Sequence, residues 1–162
     1  MYNRFLALDF ETANNERNSA CALGLAVVEN KVITEQVSFL IKPPKSYFIH
    51  TDIHGITWDD VRNKPTFDQI WIDIKKYFKK IDFIVAHNSS FDRSVMKACC
   101  DYYGIKAPEK DYKCTLQLSR KMLNLENNRL ETVCEYYGIE LNHHNALSDT
   151  LACAKIMINF MS

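Results

Sequence analysis

Five residues carry the chemistry that this sequence offers: Asp9, Glu11, Asp92, His144 and Asp149. Asp9 and Glu11 stand two apart in FLALDFET, so in a strand both carboxylates leave the same face. They interrupt an otherwise apolar segment. A buried pair of like charges is costly unless something cationic sits between them, although solvated acids on an edge strand would explain the pair as well. Asp92 closes FIVAHNSSFD, just past a short apolar run. Strand ends in α/β sheets are where sites collect, while an acid in the first turn of a helix is also favoured by the helix dipole alone. In the same segment, His87 and Asn88 read equally well as turn residues that satisfy the loop backbone. In HNALSD at 144–149, Asn145 can cap a last helix, leaving His144 just outside it and Asp149 one turn in. Taken singly, each group has an ordinary explanation. Together, four carboxylates and a histidine suit a two-metal centre, because hard divalent ions prefer carboxylate oxygens. Two such ions about 4 Å apart hold a scissile phosphate, one activating water and the other stabilising the leaving oxygen. A histidine is the natural acceptor for the proton that the water must lose.

The elements that must position these groups are legible from hydrophobic periodicity. From Phe5 to Thr12, Phe5, Ala7, Asp9 and Glu11 alternate with Leu6, Leu8 and Phe10, which is strand periodicity. A second strand follows, with Cys21, Leu23, Leu25 and Val27 on one face and the small residues Ala20, Ala22, Gly24 and Ala26 on the other. Glu29-Asn30-Lys31 predicts a hairpin turn, and a third strand spans 32–41 before Pro43-Pro44 stops it. Three successive strands with short connections make an antiparallel meander. Beyond it the period changes. Thr66 and Gln69 have capping-box spacing, and Ile70, Ile74, Tyr77, Phe78 and Ile81 recur at helical intervals. Phe83 to Ala86 reads as a buried central strand. Helices are predicted from about Phe91 to Tyr103 and from Arg129 to Tyr137, each followed by glycine, and a last one from about Asn145 to Phe160. The sum is an α/β domain with a mixed sheet: the meander plus parallel strands, flanked by helices.

With 162 residues and no linker or low-complexity tract, the chain reads as a single domain over 1–162. No apolar run approaches the roughly 18 residues of a membrane span, and MYNRFLALDFET lacks signal-peptide character, so a cytoplasmic location without membrane contact is expected. The six cysteines include no C-x-x-C pair and read as small hydrophobes, which argues against a zinc-binding structural domain. Lys plus Arg and Asp plus Glu both number 20, which excludes the broad basic face of a duplex binder. If four acids are committed to metal ions, a modest positive excess remains for phosphates. That balance suits grip on one chain end.

The order and spacing of LDFET, HGIT at 54–57, VAHNSSFD at 85–92 and HNALSD resemble the DEDDh, or DnaQ-like, 3′→5′ exonucleases over nearly the whole length. That family includes proofreading subunits of bacterial replicative polymerases. The resemblance implies an RNase H-like fold, two divalent ions (Mg²⁺ or Mn²⁺) on Asp9, Glu11, Asp92 and Asp149, and His144 as general base. It further implies substrate contacts at Phe10 and the Thr12 backbone, with His54, Asn88 and Phe91 beyond them. His54 also reads as a satisfied loop histidine. The implied activity releases nucleoside monophosphates from the 3′ end of single-stranded nucleic acid, DNA being favoured over RNA because HGIT and VAHNSSFD look closest to the polymerase-associated branch. A polymerase partner would act in trans, and the oligomeric state is left open. A non-catalytic binding module would have lost a ligand or the base, and none is missing. Two features depart from the family pattern. ETANNERNSA replaces the glycine that many relatives carry after the first motif, and His143 precedes His144 as a doublet, where it is expected to face solvent.

Overall fold

The computed structural model describes residues 4–162; Met1 to Asn3, which belong to the N-terminal segment read above, lie outside them. Strands β1 (Arg4–Thr12), β2 (Ala20–Glu29) and β3 (Val32–Leu40) form the expected meander. Strands β4 (Phe83–Ala86) and β5 (Tyr112–Cys114) extend the sheet in parallel on the other side of β1, giving the order β3-β2-β1-β4-β5. The β2–β3 turn places both Asn30 (φ 51°) and Lys31 (φ 66°) in the left-handed region. Those are the dihedrals of the two-residue turn whose twist matches that of the strands it joins.

Helix α1 (Thr51–His54) and helix α2 (Trp58–Val61) are single turns, and α3 (Phe67–Ile74) runs into a 3₁₀ turn at Lys75–Phe78. The Thr66 N–H donates to Gln69 Oε1 at 2.9 Å, as the spacing predicted. There follow α4 (Ser89–Tyr102), α5 (Thr115–Met122), α6 (Leu130–Tyr137) and α7 (Ala146–Phe160). Gly138 ends α6 at φ 67°, and Asn145 caps α7 by accepting the Ser148 N–H at 3.0 Å.

The two faces of β1 bury against different layers. Leu6, Leu8 and Phe10 join Leu23, Leu25 and Ile84 beneath α3 and α4, while Phe5 and Ala7 join Ala26, Phe83 and Val85 beneath α7. The sheet is therefore the middle of three layers. Among the described residues no helix is long and apolar enough to cross a membrane.

The small-residue face of β2 is what lets α7 lie close to the sheet. A Cβ on Gly24 would stand 2.4 Å from Thr150 Oγ1 and 2.5 Å from the Ala146 carbonyl oxygen. Gly24 pairs with Asp9 across the ladder, so this approach delivers the first turn of α7, and Asp149 with it, to the acids of β1. Gly24→Ala must push the helix off, at about 1–3 kcal/mol for overpacking against backbone. The expected result is a thermal midpoint lowered by several degrees together with weakened divalent-ion binding. An unchanged midpoint and unchanged ion titration would show that α7 has slack here.

Candidate active site

Five elements, β1, α4, α5, α6 and α7, converge on one cleft of about 640 Å³ whose lining includes Asp9, Glu11, Phe91, Arg120, His144 and Asp149. Strand β1 is buried on both sides, so the alternation of its side chains leaves Asp9 and Glu11 at the sheet's α7 face near the strand's C-terminal end. Carboxylate oxygens of Asp9, Glu11 and Asp149 lie within 4.8 Å of one another. Asp92, in the first turn of α4, is 1% exposed, and its Oδ1 accepts the Phe10 N–H at 2.9 Å. The helix-dipole explanation of Asp92 thus accounts for only part of its setting, since the side chain is tied to β1 beside the acids. Asp9 Oδ2 is fully enclosed and has no hydrogen-bond partner among the described residues.

Burial pushes all four carboxyls upward, and repulsion between them adds to it in Asp9, Glu11 and Asp92. Asp9 lies well above the usual range through burial first, then through Asp92, Glu11 and Asp149. Burial, with Asp149 and Asp92, raises Glu11 to about 8. Asp92 and Asp149 are raised chiefly by burial, opposed in Asp92 by the backbone N–H groups it accepts and in Asp149 by His143. An enclosed acceptor without a donor, amid carboxylates that resist ionising together, is what a divalent cation relieves. The donor set, oxygens only, matches hard ions.

His144 precedes α7 in a left-handed conformation (φ 66°), and its N–H donates to Asp149 Oδ2 at 3.2 Å. Its ring stacks on His143, with centroids 3.7 Å apart. His143 does not simply face solvent: its Nδ1 lies 3.3 Å from Asp149 Oδ1 and its Nε2 lies 3.1 Å from Glu131 Oε2. His143 is exposed, as expected of the doublet, but α6 brings an acid within reach of its ring, which no local pattern around His143 reveals.

The remaining predicted residues fall at different places. Phe91 lines the cleft, half-buried, with the Arg17 guanidinium 4.9 Å above its ring. Phe10 also borders the cleft, but its ring is 2% exposed and packs in the core. The Thr12 carbonyl accepts from His54 Nε2–H at 2.9 Å. Because Ile56 N–H donates to His54 Nδ1 at 3.0 Å, the tautomer is fixed and both ring nitrogens are engaged by protein. Burial lowers the pKa of His54 accordingly. Asn88, left-handed at φ 67°, stands at the N-terminus of α4 with its side chain exposed and is not among the residues lining the cleft. His87 is held between the Thr115 hydroxyl (2.8 Å) and the Asn128 carbonyl (2.9 Å), and burial lowers its pKa. Sequence reasoning missed Arg17, Arg120, Asn128, Arg129 and Glu131, all contributed to the cleft or its rim by loops and helices without a motif of their own.

The chain is similar to known proteins over nearly all of its length. The sequence model of the RNase_T family, described as exonuclease, matches residues 6–157. A DNA polymerase III PolC-type of Caldanaerobacter subterraneus subsp. tengcongensis is 31% identical over 165 residues, covering 97% of this chain and 11% of the polymerase. A DNA polymerase III subunit epsilon of Buchnera aphidicola subsp. Schizaphis graminum is 28% identical over 144 residues, covering 83% of this chain and 60% of that subunit. This chain therefore spans only a small part of the PolC-type relative and somewhat under two thirds of the epsilon subunit. Among solved structures, Exonuclease X in complex with 5′-overhanging duplex DNA superimposes with a TM-score of 0.79 at 23% identity, covering 97% of this chain and 90% of that one. The fold is thus that of the RNase H-like exonuclease domains. By the family match over residues 6–157, the chain belongs to the RNase_T exonuclease family.

Proposed function

We propose that this chain releases nucleoside monophosphates from the 3′ end of single-stranded DNA, using two divalent ions, Mg²⁺ or Mn²⁺, held by Asp9, Glu11, Asp92 and Asp149. The observation that carries the reading is the enclosed, unpartnered Oδ2 of Asp9 amid three further carboxyls. Bound there, such ions lower the pKa of water and stabilise charge on the scissile phosphate and the leaving oxygen.

The chain's own groups supply the rest. His144, at the mouth of the acidic cluster, accepts the proton of the attacking water. Asp92 fixes β1 through the Phe10 N–H, which keeps Asp9 and Glu11 in register with α7. Phe91 offers an aromatic face for a terminal base, a contact that tolerates any base. Phe10 borders the same cleft, with the buried Thr12 two residues on along β1. His54 braces Thr12 through its carbonyl, and Asn88, exposed at the N-terminus of α4, would contact the substrate only beyond the cleft. Arg120 and Arg129 line the same cleft, exposed and without an ion-pair partner among the described residues. In a chain of zero net charge, two guanidinium groups in the same cleft as the carboxylate cluster give it both signs of charge. It suits a strand whose terminal phosphate meets the ions and whose upstream phosphates meet the arginines. The likeness to PolC-type and epsilon chains supports DNA as substrate, association with a polymerase and a cytoplasmic setting.

The test is a gel assay on matched 5′-labelled single-stranded DNA and RNA with Mg²⁺ or Mn²⁺, using EDTA as control. A metal-dependent ladder shortening from the 3′ end, faster on DNA, is the expected result. Faster shortening of RNA would reassign the substrate to RNA 3′-end trimming. No shortening of either strand would leave a binding module.

A further inference from the structure

His143 has no place in the five-residue set above, yet it bridges two helices at the edge of the acidic cluster. Its Nε2 meets Glu131 Oε2 of α6 at 3.1 Å, and its Nδ1 meets Asp149 Oδ1 of α7 at 3.3 Å. With the Nε2–H given to Glu131, the Nδ1 lone pair points at a carboxylate oxygen. Two acceptors at that distance are joined either by a shared proton or by a cation. A ring whose far N–H is held by a carboxylate, while its near nitrogen is free to coordinate, is the usual arrangement of a metal-ligating histidine.

The neighbouring ring completes the donor set. His144 stacks on His143 with an interplanar angle of 26°, and ligand atoms of His143, His144 and Asp149 lie within 4.8 Å of one another. Two imidazoles and one carboxylate form a different chemistry from the all-oxygen group of Asp9, Glu11 and Asp149. Imidazole nitrogen favours borderline ions such as Zn²⁺, whereas Mg²⁺ keeps to oxygen and water. Three protein ligands and a water fill the tetrahedron that Zn²⁺ prefers.

We propose that His143, His144 and Asp149 form a second, inhibitory site for Zn²⁺, with Glu131 as the group that orients His143. The consequence for turnover rests on the reading of His144 as general base. Zn²⁺ on its ring occupies the lone pair that would accept the proton of water, and Zn²⁺ on Asp149 competes with the ions that support hydrolysis. Because Asp149 is shared, the two donor sets cannot both be filled without one ion weakening the other.

The full chain is titrated with Zn²⁺ at saturating Mg²⁺, by calorimetry and by rate, as wild type, His143→Gln and Glu131→Gln. His143→Gln is expected to keep the Mg²⁺-supported rate within about twofold, to lose one Zn²⁺ site in calorimetry, and to need at least about tenfold more Zn²⁺ for half-inhibition. Glu131→Gln is expected to weaken the same site by about tenfold with the ligand itself intact. Zn²⁺ binding and inhibition equal in wild type and His143→Gln would overturn the proposal, since the ion would then sit on the carboxylates alone. Loss of the Mg²⁺-supported rate in His143→Gln would also overturn it, by placing His143 in the reaction. A wild type that shortens no strand with Mg²⁺ alone strikes instead at the exonuclease reading, and the calorimetric Zn²⁺ site is scored independently of it.

Discussion

His144→Ala is expected to lower turnover by about 10²–10⁴-fold, the usual contribution of a positioned proton acceptor, while Mg²⁺ or Mn²⁺ binding measured by calorimetry stays unchanged. In free energy this is about 3–5 kcal/mol of transition-state stabilisation. The prediction is sharper here than for a lone histidine because the doublet supplies its own control. His143 lies within 3.3 Å of Asp149 and stacks on His144, so either ring is near enough to raise the question of which accepts the proton. His144 occupies the left-handed position immediately before the α7 cap, where its N–H is tied to Asp149 Oδ2, and its ring lines the cleft. The ring of His143 is already spanned between Glu131 and Asp149, and removing a proton acceptor from that bridge would first require breaking it. His144→Ala should therefore be nearly inactive with Mg²⁺ where His143→Gln is not. If the two variants show the reverse order, the base is His143. If His144→Ala keeps a rate within tenfold of wild type, neither the spacing to Asp149 nor the cleft position assigns a base.

The parts of this molecule that the sequence made legible are those in which a period meets a punctuation residue. β1, β4 and the ends of α6 and α7 follow from alternation, a continuous apolar run, Gly138 and Asn145. The pairing of Asp9 with Glu11 was legible because a strand's period of two leaves both acids on one face. Less was legible where structure is set by distant contacts. Strand β5 is three residues long, and its pairing with β4 is what makes it a strand at all. Helix α5 starts at Thr115, whose hydroxyl is committed to His87, 28 residues away. The single-turn helices α1 and α2 are too short to show a period. The role of Gly24 was visible only as a small residue on a small face, because the helix that needs the space arrives more than 120 positions later. The same holds for Arg120, Arg129 and Glu131: each is an ordinary surface residue of its own helix or loop, and only the packing of α5 and α6 against α7 brings them to the cleft that holds the acids.

Asp9→Asn is expected to abolish metal-dependent hydrolysis and, in the absence of divalent ions, to make the protein more stable. The first effect follows from losing a shared ligand, about 10²-fold or more in rate. The second follows from the sign of the pKa shift. A carboxyl whose pKa is raised on folding stabilises the fold relative to its ionised form below the unfolded value, about 3.9, and that contribution is lost as pH rises through the folded value. Asp9 is raised well above the usual range, first by burial and then by Asp92, Glu11 and Asp149, and Glu11 beside it lies at about 8. Metal-free wild type therefore loses stability between about pH 4 and pH 8 on account of these groups, and Asp9→Asn escapes its share. The amide also brings two N–H donors to the neighbouring carboxylates, where Asp9 Oδ2 has no partner. In EDTA at pH 8 the variant should melt above wild type by several degrees, about 2–4 °C for each kcal/mol at this chain length, and the gap should close towards pH 5. Adding Mg²⁺ or Mn²⁺ should reverse the order, because only wild type gains the linkage stabilisation of bound ions. A variant that melts below wild type in EDTA at pH 8 would mean that the Asp9 carboxylate stabilises the empty site. The acids would then be held by donors within the protein, and the case for ions at this cluster would lose its physical basis.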